Sequence, residues 1–127
     1  MIEDASVLIV DRSTEARGVL RTALERLGVR VFETANAEDG LTLARKHRPD
    51  LVLLDLDAAS HSVASAAEDF AAYADDGNAT LLILGPARLR SSAPRGGFVA
   101  KPYHYEPLVR KIEQLLRASQ CTPHAPS

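Results

Sequence analysis

Arg48-Pro49-Asp50-Leu51-Val52-Leu53-Leu54-Asp55-Leu56 is the stretch on which the fold turns. Residues 51–54 form the most hydrophobic run in the chain, aliphatic throughout, as a strand buried on both faces requires. Such a strand belongs at the centre of a parallel sheet, and it ends on a carboxylate, Asp55. Towards the N-terminus, Pro49 bars the continuation of a helix predicted over residues 37–46, with Leu41 and Ala44 on one face. Before it, residues 30–34 alternate in polarity and read as an edge strand. Ser13 is a plausible N-cap for a helix in which Ala16, Val19, Leu20, Ala23, Leu24 and Leu27 recur at three- and four-residue intervals. Gly28 supplies its left-handed stop. The first strand, residues 6–10, is apolar over its last four residues and is followed at once by Asp11.

Towards the C-terminus, a polar stretch from Asp57 to Ser62 precedes a third helical stripe of Val63, Ala66, Ala67, Phe70 and Ala74. Residues 75–78 read as a turn, 81–84 as a fourth strand and 98–100 as a short fifth. A last helix over 105–118 carries Leu108, Val109, Ile112, Leu115 and Leu116. Residues 119–127 hold two prolines and no apolar period, and read as a flexible tail or linker after a domain of residues 1–118. The alternation of short aliphatic runs with longer amphipathic ones is that of βα units around a parallel sheet. One connection breaks the rhythm: between Leu84 and Phe98, two prolines bracket and two glycines close a segment whose only large apolar residue is Leu89. A helix there has little room and little to bury, so a loop or a single helical turn is expected.

The 127 residues suffice for one domain, and 46% hydrophobic residues suffice for one core. Aromatics are 5% and Trp is absent, which suits aliphatic strands under Ala- and Leu-faced helices. A formal net charge of −2 gives no bulk positive field for nucleic acid or an anionic membrane. Cys121, the single cysteine, has no partner for an internal disulfide. The first residues lack the pattern of a signal peptide, and no apolar run approaches the roughly 20 residues of a membrane span. A cytoplasmic location is expected.

In an open parallel sheet, ligands gather at the carboxyl ends of the strands. Asp11, Asp55 and Lys101 occupy the ends of strands one, three and five, which places two carboxylates and an ammonium at one rim. Val7-Leu8-Ile9-Val10-Asp11, the stretch from Arg48 to Leu56, and Phe98-Val99-Ala100-Lys101-Pro102-Tyr103 are each weak signals alone. In this order and at strand ends, they resemble the receiver domains of bacterial response regulators over residues 6–116.

The resemblance implies a flavodoxin-like three-layer α/β/α sandwich, with a five-stranded parallel sheet in 2-1-3-4-5 order; the short segment from Gly85 to Lys101 departs from it and leaves the fourth helix shortened or missing. It implies that Asp55 is the phosphoacceptor, attacking a phosphoryl group from a partner histidine kinase. It implies that Mg²⁺ is held by Asp11, Asp55 and the backbone carbonyl of Asp57, and that Lys101 pairs with a phosphate oxygen. The physics agrees, since a cation and an ammonium stabilise charge spread over phosphoryl oxygens. Gly85 and Phe98 fall at the family's switch positions, and a Lys–Pro bond such as Lys101–Pro102 is often cis in the family.

Departures from the family pattern modify this expectation. Arg12 stands where a second acidic residue ligates magnesium, removing a ligand and adding repulsion. Gly85 replaces a Ser or Thr and offers no hydroxyl, so Phe98 has lost its switch partner. The Pro and Gly usual downstream of the acceptor are missing from residues 57–62. Arg12 has two readings: it points into solvent, or its guanidinium folds over Asp11 and Asp55 as a fixed substitute for the metal. His47, His61, His104 and His124 share no metal-ligand spacing and read as surface. Arg88, Arg90 and Arg95 read as a solvated loop.

The expected function is a receiver module of phosphorelay signalling, not an enzyme, with weak or absent Mg²⁺-dependent phosphorylation. It would work through contacts with a sensor histidine kinase or other signalling protein, an effector domain or a second copy, without membrane or direct nucleic-acid binding. The alternative is an active receiver, phosphorylated on Asp55 and losing its phosphate by itself. A flavin- or nucleotide-binding domain is disfavoured, because Arg12-Ser13-Thr14-Glu15 offers no glycine-rich phosphate loop.

Overall fold

In the computed structural model, residues 2, 4–58, 63–92 and 97–121 are described. His61, Arg95, His124 and residues 122–127 of the expected tail lie outside the described residues. Five strands form one parallel sheet: β1 (Ser6–Val10), β2 (Arg30–Thr34), β3 (Leu51–Asp55), β4 (Thr80–Pro86) and β5 (Phe98–Lys101). Their order is β2-β1-β3-β4-β5, as expected, with the alternating strand β2 at one edge and the wholly buried β3 in the middle. Among the described residues, four α-helices cover the sheet: α1 (Thr14–Arg26), α2 (Ala37–His47), α3 (Val63–Tyr73) and α4 (Tyr105–Cys121).

Local chemistry sets these boundaries. Ser13, in extended backbone, caps α1 by accepting from the Ala16 amide at 3.1 Å, and Glu15 sits in the first turn where the helix dipole favours an anion. The chain leaves α1 through Gly28 at φ +88°, a conformation that costs glycine nothing. Asn36 caps α2 by accepting from the Asp39 amide at 2.8 Å. Asp50, just before β3, ties β3 to both of its neighbours, β1 and β4. Its amide donates to Ser6, its side chain accepts from the Ser6 amide, and its carbonyl accepts from Thr80.

The sheet separates two apolar layers. On one face, Ile9, Leu53 and Leu82 meet Leu20 and Leu24 of α1 and Leu108, Ile112 and Leu116 of α4. On the other, Leu8, Val52, Leu54 and Ile83 meet Ala44 of α2 and Ala67 and Phe70 of α3. This two-sided burial explains why β1, β3 and β4 read as continuous aliphatic runs.

Two predicted assignments shift at helix ends, while the connection after β4 holds no α-helix, as expected. Residues 75–78 are not a simple turn, since Ala74–Asn78 prolongs α3 as a π-helical segment. The last helix runs three residues past Ala118, to Cys121, beyond the point where apolar periodicity stops informing on helicity. The connection after β4 carries a 3-10 helix, Ala87–Ser92, in place of an α-helix. Leu89, its one large apolar side chain, packs against the α2/α3 layer and leaves a longer helix nothing more to bury there.

Candidate functional site

The β1–β3 ladder pairs Val10 with Leu54, so the next residues, Asp11 and Asp55, leave the sheet side by side. Both are nearly inaccessible, at 3% and 4% exposure, and they are the only buried acidic residues among the described residues. Each turns its chain in the same way: Asp11 Oδ1 accepts from the Ser13 amide at 2.8 Å, and Asp55 Oδ1 from the Asp57 amide at 2.9 Å. An aspartate that accepts from its own backbone two residues on mimics a turn, and here the turn fixes the carboxylate's direction.

Lys101, from the end of β5, reaches across the rim. Its Nζ lies 2.7 Å from the Asp55 carboxylate and 2.8 Å from Asp57 Oδ2. Burial opposes its charge, but the hydrogen bonds to Asp55 and Asp57 outweigh that and hold the ammonium above its ordinary pKa. The Lys101–Pro102 bond is cis. Together with Arg12, Ser13 and Leu56, these groups line an open cleft of about 660 Å³.

Asp11 is the unbalanced member. Its Oδ2 is buried without a hydrogen-bond partner among the described residues. Burial pushes its carboxyl up to about pKa 6; the Ser13 amide works against this, and the Asp55 charge adds to it. Burial also pushes the Tyr103 phenol up to about 12, with the negative charge of Asp11 as the next cause.

The structure thus brings together Asp11, Asp55 and Lys101 as the sequence implied, and corrects one reading. Arg12 is exposed and makes no hydrogen bond or ion pair with a described residue. Its guanidinium does not fold over Asp11 and Asp55; the cation bound between carboxylates is Lys101, which reaches Asp55 through the cleft. At the two other singled-out positions, a side chain on Gly85 would begin 2.9 Å from Leu56 Cδ1 and 3.6 Å from Phe98 Cζ. Leu56 therefore packs where a side chain at position 85 would start. Phe98 is buried, with the Arg90 guanidinium 5.1 Å from its ring centre.

Two contributors escaped sequence reasoning. Arg17, one turn into α1, donates from Nη1 to the Asp11 carbonyl at 2.6 Å and from Nε to Glu33 at 3.0 Å, bracing the corner after β1. The Asp57 carboxylate, expected only as a backbone carbonyl, pairs with Lys101. A sign of Arg17 was available, since a cation one turn after a helix N-cap runs against the dipole and needs a partner such as Glu33. No signal in the sequence distinguishes the Asp57 side chain.

The model of the response regulator receiver domain matches residues 7–61. The KDP operon transcriptional regulatory protein KdpE of Escherichia coli (strain K12) is 49% identical over 51 residues, covering 40% of this chain and 23% of that protein. The probable transcriptional regulator ycf27 of Cyanophora paradoxa is 27% identical over 122 residues, covering 94% of this chain and 51% of that protein. The chain thus spans at most about half the length of these curated relatives. The chemotaxis protein CheY4 of Vibrio cholerae superposes with a TM-score of 0.73 at 21% identity, over 87% of this chain and 98% of that one, which speaks for the fold. With the family model on β1 to β3, and the fold and strand order carried through β5, the chain is similar to the response regulator receiver domains over its first half and shares their fold throughout.

Proposed function

We propose that this receiver works through protein–protein contacts, with Asp55 at the phosphoacceptor position and with weak or absent Mg²⁺-dependent phosphorylation. The observation that carries the reading is the pairing of a complete Asp55–Lys101 contact, at 2.7 Å, with a Gly85 that has no hydroxyl and is overlaid by Leu56. Phosphate has somewhere to arrive, but no side chain at position 85 to register it.

The residues fit a Mg²⁺ ion, though sparingly. The partnerless buried Asp11 Oδ2 is the kind of oxygen a cation satisfies, and Asp55 lies beside it. Among the described residues, no group of three His, Cys, Asp or Glu could hold a metal, and Arg12 brings positive charge to the same cleft. Asp11, Asp55 and the Asp57 carbonyl would hold the ion, with water completing its shell. When bound, magnesium neutralises charge developing on a phosphoryl group. Lys101 contributes a fixed positive charge, its ammonium 2.7 Å from the Asp55 carboxylate.

The partner follows from the chemistry: a phosphohistidine-bearing kinase or another signalling protein, and an effector domain or second copy as output. No described helix is long and apolar enough to cross a membrane, and we place the domain in the cytoplasm. Incubation with acetyl phosphate and Mg²⁺, read by intact mass, tests the reading. Little or no phosphate adduct is expected, with partner binding unchanged in Asp55→Asn. A full adduct that disappears in Asp55→Asn would instead establish the second reading, an active receiver, which the Lys101–Asp55 contact favours.

A further inference from the structure

The Lys101 ammonium is shared between two carboxylates of different character. Asp55 is 5% exposed at its side chain, and Asp57 is 69% exposed. Asp57 lies in the short 3-10 turn Leu56–Ala58, which returns its amide to Asp55 and its carboxylate to Lys101. Within the Asp55-Leu56-Asp57 segment, a single acceptor carboxylate is therefore gripped by an amide and an ammonium, and Asp57 Oδ2 lies 2.8 Å from the same ammonium. An oxygen of a group carried on Asp55 would meet that shared ammonium.

We propose that the Asp57 carboxylate is an intramolecular competitor for Lys101, occupying the contact that a phosphoryl oxygen on Asp55 would take. This deepens the proposed function and rests on its assignment of Asp55 and Lys101. In transfer from acetyl phosphate, an Asp55 carboxylate oxygen forms a bond to phosphorus as the phosphorus–oxygen bond to the acetyl group breaks, and acetate leaves with the electron pair. The new phosphoryl oxygens are anionic, and the nearest ammonium already carries an anionic oxygen. Asp57 takes one of the ammonium's three donors and part of its charge, and until it swings out its own charge repels the incoming group. Its high exposure makes the swing feasible, because an ion pair this open to water is held weakly. In the resting domain, the same contact supplies Lys101 with the anionic partner that phosphate would bring.

The test uses the whole chain and its Asp57→Asn and Asp57→Glu variants. Trace acylation of amines, read by peptide mass, reports how firmly Lys101 is held, with Lys46 and Lys111 as internal references. Acetyl phosphate with Mg²⁺, read by intact mass over time, reports acceptance. In Asp57→Asn we expect Lys101 to acylate faster and adduct to form about fivefold faster, the scale of one exposed ion pair. Asp57→Glu, which keeps the charge, should stay near the parent in both. Unchanged Lys101 reactivity in Asp57→Asn overturns the competition and leaves the proposed function standing. Raised reactivity with adduct formation no faster than in the parent, including none in either, also overturns it. A parent that takes phosphate rapidly and fully, but is still outpaced by Asp57→Asn, overturns the weak-phosphorylation reading and sustains the competition.

Discussion

The chemistry of single residues at the rim is governed by how much water each can reach. Asp11 loses water without gaining a full set of donors, and its carboxyl rises to about pKa 6. The folded state therefore holds the proton more tightly than the unfolded chain. The stability this contributes is fully present below the unfolded pKa and is lost as pH rises through about 6. Asp11→Asn keeps an oxygen for the Ser13 amide and removes the charge. It should stabilise the domain at pH 7.5, by up to about 3 kcal/mol, with the gain fading towards pH 4. Urea unfolding at both pH values measures it; an equal gain at both would show that the Asp11 charge is not the cause. Lys101→Met leaves Asp55 without its cation, and should cost about 1–3 kcal/mol at pH 7.5. Much of that loss should vanish in an Asp55→Asn background, since a carboxylate that no longer exists needs no partner. Urea unfolding of the four proteins closes this cycle, and a loss of the same size in both backgrounds would show that Lys101 acts elsewhere.

At the scale of elements, the decisive contact is the stacking of the turn after β3 over the end of β4. A side chain on Gly85 would start 2.9 Å from Leu56 Cδ1, closer than ordinary contact allows. Restoring a hydroxyl by Gly85→Thr should therefore destabilise by about 1–2 kcal/mol through overpacking, and Leu56→Ala in the same chain should relieve that penalty. Thermal unfolding of the single and double variants decides it. If Gly85→Thr is neutral on its own, Leu56 rotates aside freely and does not seal the position. Elements are also where the sequence was most readable. The cap at Ser13, the Pro49 break and the aliphatic run of β3 act through local backbone chemistry, which a sequence displays directly. The Leu56–Gly85 contact joins two segments through tertiary packing, so the sequence reported the missing hydroxyl and not what replaced it. Arg12 was misjudged in one of its two readings for a related reason: charge attraction favours a fold-over, while the direction of its side chain depends on the corner that Arg17 braces.

For the molecule as a whole, one sheet divides two apolar layers that do not share side chains. Phe70 lies in the α2/α3 layer and Ile112 in the α1/α4 layer, both essentially inaccessible. Phe70→Ala and Ile112→Ala should each cost about 3–4 kcal/mol. Because the sheet separates them, the double variant should equal their sum within about 0.5 kcal/mol. Chemical denaturation of a weakly destabilising pair, such as Ile112→Val with Phe70→Leu, checks additivity if the alanine variants do not fold. Strong coupling would mean that the two layers communicate through the sheet. The strand order came from resemblance and was met in full, while the helix ends moved by a few residues, since fraying and π-helical extension depend on packing that no local pattern records.

The in-register exit of Asp11 and Asp55 from β1 and β3 makes the rim a gauge of the entire sheet. Neighbouring strands are held about 4.8 Å apart by their ladder, so the spacing of the two carboxylates is inherited from the backbone. Alternate residues of a strand face opposite sides, and a slip of one position would carry Asp55 to the wrong layer and dissolve the Lys101 contact. Formation of that contact during refolding therefore timestamps correct alignment of β3, β4 and β5, strands that are separated along the chain. A signal from Lys101 that arrives together with global folding, never ahead of it, is the kinetic signature of that arrangement.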